Sequence, residues 1–551
     1  MKVLAFLLRR SAASVAIITV ATIVSGLANA GLVALINVAL KNPDAPRLRS
    51  GFVALCVLMV AGRTVAGYFQ NRLSSRTLFN LRMELSRRIL ATPLRHLEEL
   101  GMHRLLAAMT DDVTSIITAL VQLPILCRNI TVVVACLAYL LTLSWKVFLM
   151  STVFLAVGMA SYRLPVKKAR EYLDRAREEW DLMLGLFRSM TEGIKELKLH
   201  RERRAAFFSR VLEPAGQRFE EINVKGMTMN TAALSWGQTL VFAIIGLIVF
   251  VVPALTGVRP DTLSAYAVVF LYVIVPLDGI VLSLPIIARA NNAMRKIEQL
   301  GFSLQGRPTE ADAIEPHPAR SWSRIELRGV VHKYQGERQG SQFTLGPIDL
   351  ALHPGEIVFI VGGNGSGKTT LAKILTGLYS PEAGEIRFDG RAVDDATRDA
   401  YRQHFAAVFS DFHLFDKLLG LESTTLDGEA RELLERLHLD GKVEVKEGRL
   451  STTALSQGQR KRLALLTAYL EDRPIYVFDE WAADQDPTFK RIFYHRLLPE
   501  LKARGKTVVV ISHDDHYYDV GDRLIRLDYG KVEYDGTIDP AARFVRTELP
   551  A

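Results

Sequence analysis

Between residues 11 and 40 the chain runs 30 residues without a charge. About 20 apolar residues suffice to cross a bilayer. Five further apolar runs follow before residue 290. They cover 51–69 (broken by Arg63), 130–145, 147–164, 232–255 and 263–288, the last holding Pro276, Asp278 and Pro285. Only Lys146 separates the third and fourth runs, so these two are expected to form a tight hairpin. Ala28-Asn29-Ala30 resembles a signal-peptide cleavage site. The first run is too long for that reading and stays apolar beyond the would-be cut. Six spans place both ends of this region on one side of a membrane.

Charge chooses the side. The segment between the second and third spans carries Arg72, Arg76, Arg82, Arg87, Arg88, Arg95 and Arg104. The segment from 165 to 230 is richer still, from Lys167 and Lys168 to Arg218 and Lys225. The alternate loops are short, with Lys41, Arg47 and Arg49 in the first, Lys146 in the next and Arg259 in the last. Positive-inside bias therefore puts both termini and both long segments in the cytoplasm, with the first outer loop a mild conflict. Those segments read as helical, with mixed charge and few Gly or Pro. They are expected to extend the spans beyond the membrane, with elbows at 94–111 and 191–199. Most of their charges need be no more than a solvated helix face.

From residue 324 onward the pattern changes to soluble α/β. Residues 324–334 and 343–352 alternate as strands do, and Ile357-Val-Phe-Ile-Val361 is a short β-branched run of the kind a buried strand needs. Directly after it stands Gly362-Gly363-Asn364-Gly365-Ser366-Gly367-Lys368-Thr369-Thr370, which is GxxxxGK[ST] between a strand and a helical pattern. The glycines let backbone N–H groups face phosphate oxygens with no Cβ in the way. The following helix offers its positive end, Lys368 a point charge, and Thr369 a hydroxyl for Mg²⁺.

A second buried strand, Ile475-Tyr-Val-Phe-Asp479-Glu480, ends in two carboxylates. An acid at that position beside a phosphate loop is where Mg²⁺ needs a ligand, directly or through water, and Asp479 fits. Glu480 is then placed to orient or deprotonate the attacking water. The competing reading makes Glu480 a cap for the next turn. Between these motifs lies Leu455-Ser456-Gln457-Gly458-Gln459 at a helix start, where free N–H groups and a hydroxyl suit an anion. Taken alone, that feature is usually only an N-cap.

In order and spacing, these three motifs resemble an ABC-type ATPase. The resemblance extends to His513, at the family's γ-phosphate-sensing switch histidine, and to Tyr334, at the aromatic that stacks on adenine. Ala483-Asp484-Gln485-Asp486 stands at the D-loop. Six spans with two long cytoplasmic extensions resemble an exporter half-transporter. The implied fold is an all-α six-helix transmembrane domain, type I ABC exporter-like, over 1–290. It is joined by a linker at 291–323 to an α/β P-loop ATPase domain at 324–551. Residues 479–487, 408–416 and 511–515 look like the cyclic-peptide and siderophore exporters, among them the pyoverdine, syringomycin and lasso-peptide microcin exporters. Two departures stand out. Ser410 occupies the Q-loop position, too short to reach Mg²⁺ except through water, and Gln457 replaces a signature glycine.

The resemblance implies ATP and Mg²⁺ as cofactors and catalysis by Glu480 and His513. It implies nucleotide contacts from Tyr334, the 362–370 loop, Ser410, Ser456–Gln459 and Asp486, and metal contacts from Thr369 and Asp479. Because the chain holds one ATPase and one set of six spans, a homodimer is expected, with Ser456–Gly458 of one subunit closing over nucleotide on the other. The expected setting is the bacterial inner membrane, multi-pass, with the ATPase and both termini cytoplasmic. The expected cargo is a small cyclic peptide, peptide siderophore or siderophore precursor, with room for a periplasmic or outer-membrane efflux partner. A lipid or multidrug exporter or flippase is the alternative. Hydropathy disfavours a soluble ATPase of repair or translation, so no nucleic-acid partner is expected. A net charge of +9 permits anionic lipid or nucleotide without choosing between them. Three cysteines, all in apolar stretches, exclude a disulfide framework. Asp278 inside the sixth span is expected to face a cavity or partner. Arg63 and Arg128 could line one cavity suited to an anionic cargo, or snorkel or pair structurally.

Overall fold

A computed structural model of the chain describes residues 2–41, 46–256, 260–299, 322–335, 342–421 and 424–538. Most of the expected linker at 291–323 lies outside the described residues, as do the first outer loop around 42–45 and Arg259. The chain divides into two compact units, Met1–Leu85 with Leu106–Leu304, and Ser86–Leu105 with Gln305–Ala551.

The helices of the first half are α1 (Lys2–Lys41), α2 (Pro46–Leu90), α3 (Leu94–Leu100), α4 (Met102–Ala107), α5 (Val113–Leu143), α6 (Trp145–Glu192), α7 (Ile194–Leu199), α8 (Arg201–Ala206), α9 (Glu213–Gly246), α10 (Val252–Thr256) and α11 (Pro260–Gln299). Wider i→i+5 turns join α4 to α5, α8 to α9 and α9 to α10 without breaking the rod. Among the described residues, six continuous stretches are long and apolar enough to cross a membrane. At 45 residues, α2 rises about 68 Å, more than twice a hydrocarbon core of about 30 Å. The extensions beyond the membrane thus follow from helix length alone. The α5–α6 hairpin turns at Ser144, whose backbone is extended, and Lys146 already belongs to α6. Pro276 and Pro285 both lie inside the continuous α11.

Within the membrane unit α6 packs along α9, and α5 along α11 and α1. The buried seam includes Val132, Cys136, Leu140, Ile244, Ile248, Tyr266 and Phe270. Polar ties cross it. The Tyr266 hydroxyl contacts the carbonyls of Leu140 and Ser144 at 2.7 and 2.8 Å, and Asn37 Nδ2 donates to the Tyr139 hydroxyl at 2.8 Å. In hydrocarbon such interhelical bonds satisfy groups that lipid cannot. The outward faces stay apolar, with Phe250 and Val275 at least three-quarters exposed, as a lipid-facing surface requires.

The second unit begins with α3 and continues through β1 (Ile325–Gln335), β2 (Gln342–Leu352), β3 (Ile357–Gly362), α12 (Lys368–Leu375), β4 (Ala383–Phe388), β5 (Arg391–Ala392), α13 (Arg398–Arg402), β6 (Phe405–Val408), α14 (Leu426–Arg436), β7 (Val445–Lys446) and β8 (Arg449–Leu450). It closes with α15 (Gln457–Glu471), β9 (Ile475–Asp479), α16 (Pro487–Ile492), α17 (Leu498–Ala503), β10 (Thr507–Ile511), β11 (Arg523–Asp528) and β12 (Lys531–Thr537). Six strands run in the order β12-β11-β3-β10-β9-β6, all parallel except β12. An antiparallel sheet runs β2-β1-β4-β5.

The parallel strands are apolar throughout because both faces are covered. Phe359, Phe478 and Val510 enter the core under α14, α15 and α17, while Val358, Val477 and Val509 enter the core shared with α12 and the antiparallel sheet. Period-two alternation thus feeds two cores from one sheet. It leaves the C-terminal ends of β3, β9 and β10 side by side, the edge where open parallel sheets carry their ligand sites.

Candidate functional site

The loop after β3 is shaped by backbone conformations that side chains avoid. Gly362 has φ +154°, and a Cβ there would lie 2.2 Å from the Leu527 carbonyl oxygen. Gly367 caps α12 in the left-handed region at φ 98°. Lys368 is buried and folds back, its Nζ donating to the carbonyls of Gly362 and Gly363 at 3.0 and 2.9 Å. Burial pulls its pKa down, against the nearby charges of Glu480 and Asp479, which raise it. The buried Ser366 hydroxyl has no hydrogen-bond partner among the described residues. Asn364 and Gly365 complete the turn, and Gly363 accepts from the Ser366 N–H at 3.2 Å. A folded-back cation, an unpaired hydroxyl and the start of a helix form a cradle for phosphate oxygens.

Asp479 ends β9 fully buried. Burial pushes its carboxyl above the ordinary range, opposed by the Thr369 hydrogen bond. The Thr369 hydroxyl donates to it at 3.0 Å, and Ser410, two residues past β6, at 3.4 Å. Thr370 follows within α12. A dry carboxylate whose side-chain partners are hydroxyls suits a hard divalent cation, which prefers oxygen ligands. Among the described residues no group of three His, Cys, Asp or Glu could hold such an ion, so an ion held by Asp479 and Thr369 would need further oxygen ligands from phosphate or water.

Glu480 leaves the strand in the left-handed conformation, φ 51°. Its N–H donates to the Ile511 carbonyl at 3.0 Å, and its side chain makes no cap to the turn that follows. The carboxylate lies 3.4 Å from His513 Nε2, and both side chains remain partly exposed. The capping alternative therefore fails, and Glu480 keeps an oxygen free for water. His513 stands just past β10, in a segment where Ser512 Oγ is 2.8 Å from the Tyr494 hydroxyl and Lys490 pairs with Asp514 at 2.9 Å. Tyr334 stands on β1, about half exposed.

Ser456 precedes α15 with an extended backbone and an exposed side chain, and Gln459 Oε1 accepts from its N–H at 3.4 Å. Gly458 is required by a close approach, since a Cβ would lie 2.7 Å from the Asp484 carbonyl oxygen. Gln485 donates to the Gly458 carbonyl at 2.9 Å. Asp486 caps α16 by accepting from the Phe489 N–H at 2.9 Å, the main cause of its lowered pKa, and pairs with Arg462 at 2.6 Å.

The motif residues were legible in sequence, but the brace between them was not. Lys461, 3% exposed, pairs with Asp484 at 2.7 Å and donates to the Glu480 carbonyl at 2.8 Å. Its own carbonyl accepts from Trp481 Nε1. The start of α15, the turn 481–484 and Glu480 are thus tied together. The only sequence hint is a carboxylate and an amide at 484–485, followed by the expected Asp486.

The expected elbow at 94–111 is partly realised by α3, which packs within the second unit. Leu94 packs against the core shared by the antiparallel sheet, and Arg95 pairs with Glu382 at 2.7 Å. Glu98 pairs with Lys373 at 2.9 Å and accepts from the Tyr379 hydroxyl. In the other elbow, α7 leaves Leu199 88% exposed. In the membrane unit, Arg63 and Arg128 line one cavity, whereas the exposed Asp278 does not line it.

With this geometry in place, comparison with known proteins is direct. Residues 13–277 match the family described as ABC transporter transmembrane region, and residues 345–483 match ABC transporter. The chain is 38% identical to "ATP-binding protein SyrD" of Pseudomonas syringae pv. syringae, covering 93% of this chain and 92% of that one. It is 27% identical to an "ATP-dependent lipid A-core flippase" of Bordetella pertussis, over 88% and 80% of the two chains. Its fold is shared with a bacterial Atm1-family ABC exporter solved with ATP bound, at a TM-score of 0.68 and 17% identity, over 96% and 95% of the two chains.

Proposed function

We propose that this chain, which belongs to the ABC exporter family as a half-transporter coupling ATP hydrolysis to transport, moves a cyclic peptide, peptide siderophore or siderophore precursor out across the bacterial inner membrane. The observation that carries the ATP-driven part is the Glu480–His513 pair beside Asp479 and the phosphate loop. The cargo reading rests on the likeness of 479–487, 408–416 and 511–515 to the cyclic-peptide and siderophore exporters, together with the 38% relative.

In this reading the 362–370 loop and Lys368 bind the phosphates, and Tyr334 stacks on adenine. Thr369 and Asp479 hold Mg²⁺, with Ser410 acting through water. The ion supplies charge neutralisation at the phosphates. Glu480 takes a proton from the attacking water, and His513 orients Glu480 and the terminal phosphate. One chain carries one phosphate loop and one 456–459 signature, so the working unit is a homodimer in which Ser456–Gln459 and Asp486 of one subunit face nucleotide on the other. The chain divides at 1–290, 291–323 and 324–551, and the positive-inside bias of the long segments supports an ATPase and both termini on the cytoplasmic side.

Glu480→Gln keeps the shape and removes the base. Reconstituted Glu480→Gln dimer should bind ATP and hydrolyse it at least about 100-fold more slowly. Turnover near wild type would refute the role. Relatives of the lipid A-core flippase kind favour a second reading, lipid flipping. ATPase stimulation by cyclic peptides but not by lipid A in proteoliposomes would decide for the first.

A further inference from the structure

Four membrane helices, α1, α2, α5 and α11, enclose a cavity of about 300 Å³. Its wall carries two guanidinium groups, Arg63 of α2 and Arg128 of α5, with the neutral polar side chains Ser25, Asn29, Asn129 and Tyr272. Among the described residues, no carboxylate lines it. Among the described residues neither arginine makes an ion pair or a side-chain hydrogen bond.

Two ordinary explanations for an intramembrane arginine are snorkelling and structural pairing. Arg128 is the central residue of the 31-residue α5 and its only charge. It stands two residues before the apolar run 130–145, where snorkelling would carry its head out of the bundle toward the interface, whereas Arg128 lines the same cavity as Arg63. Pairing fails because, among the described residues, neither guanidinium has a partner, and the carboxylate of the same region, the exposed Asp278, does not line the cavity. Two like charges on one low-dielectric cavity repel each other and lack a counter-charge. Each guanidinium presents a planar fork matched to a carboxylate or phosphate.

We infer that this cavity is a binding site for the anionic group of an amphiphilic cargo, with Arg63 and Arg128 as its two charge contacts. The inference rests on the export reading above and deepens it, since the carboxylate of a peptide or siderophore precursor is the group the site selects. Ser25 contributes little directly, because its hydroxyl is donated to the Met59 carbonyl at 3.2 Å. The buried Asn129 amide and the Tyr272 hydroxyl remain as polar edges for the neutral part of the cargo.

The test uses the full-length transporter in phosphatidylcholine vesicles. The probes are an acidic cyclic lipopeptide with two free carboxylates, its dimethyl ester, and a bis-phosphorylated glucosamine lipid, all below their micellar concentrations. The readout is the concentration giving half-maximal ATPase stimulation. Wild type should prefer the acid over the ester by at least about tenfold. Arg63→Gln/Arg128→Gln should reduce that ratio to about one, and Arg63→Lys/Arg128→Lys should keep part of it. An ATP-induced rise in melting temperature establishes that each variant is folded. If only the phosphorylated lipid stimulates, and does so with the same arginine dependence, the cavity assignment stands and the peptide reading falls. Equal response to acid and ester, stimulation unaffected by the glutamine pair, or no charge-dependent stimulation by any probe overturns the assignment.

Discussion

Replacing Lys461 by Met keeps the length of the side chain and removes its charge. Lys461 is 3% exposed, so its ammonium depends on Asp484 at 2.7 Å and the Glu480 carbonyl at 2.8 Å for solvation. Breaking a fully buried ion pair costs about 3–5 kcal/mol. Asp484 is 41% exposed and can turn to water, which brings the pair's share nearer 1–2 kcal/mol. The bond to the Glu480 carbonyl, donated by a charged group, adds about 1.5 kcal/mol or more. That bond also restrains Glu480 in a left-handed conformation that itself costs about 1–2 kcal/mol for a residue with a Cβ. If some 2 kcal/mol of this restraint serves the attack geometry, Lys461→Met should lower kcat about 30-fold with KM for ATP nearly unchanged. The assay is steady-state ATP hydrolysis by the reconstituted protein, run beside Asp484→Asn and the double variant. Asp484→Asn strands a buried ammonium, so the double variant should be less destabilised than Asp484→Asn alone, with a coupling of about 1–2 kcal/mol. A Lys461→Met protein with wild-type kcat, or strictly additive losses, would refute the bracing role.

Other consequences follow from the same geometry. Burial raises the Asp479 pKa, so this carboxylate opposes folding once ionised. Asp479→Asn should therefore melt at a higher temperature than wild type in the absence of nucleotide while losing Mg²⁺-dependent hydrolysis, as scanning calorimetry and a phosphate-release assay would report. His332 is buried against Tyr379 with its pKa lowered, first by desolvation and then by Arg95. The unfolded chain then binds the proton more readily, so stability is present above the ordinary value of about 6.5 and is lost as pH falls below it towards the depressed folded value. His332→Phe should flatten that part of the melting profile. Glu98→Ala removes partners of Lys373 and Tyr379, worth about 1–3 kcal/mol at this half-buried contact. Hydrogen exchange over residues 94–100 should rise about tenfold or more, and unchanged protection would contradict the seating of α3.

Much of the site could be placed from one dimension because its parts are local. A phosphate loop is a strand, a set of glycines and a helix start in a few consecutive residues, and Asp479 ends its own strand. Ser456 and Glu480 sit in short patterns of the same kind, whereas His513 is implied by the family resemblance. The brace around Lys461 was not legible, since its contacts span 19 and 23 residues and depend on how α15 lies over the end of β9. The seating of Glu98 on Lys373 and Tyr379 crosses more than 270 residues and has no local signature.

The linear order of residues settled where the chain is apolar enough to cross a membrane and where it can cradle phosphate, because both depend on short-range periodicity and backbone freedom. Whether Arg63 and Arg128 share a cavity, and whether Asp278 joins them, was decided by helix packing. A helix's sequence fixes the angle between its side chains, but not which neighbour each side chain meets. That is set only when four helices close around a common space and exclude lipid from it.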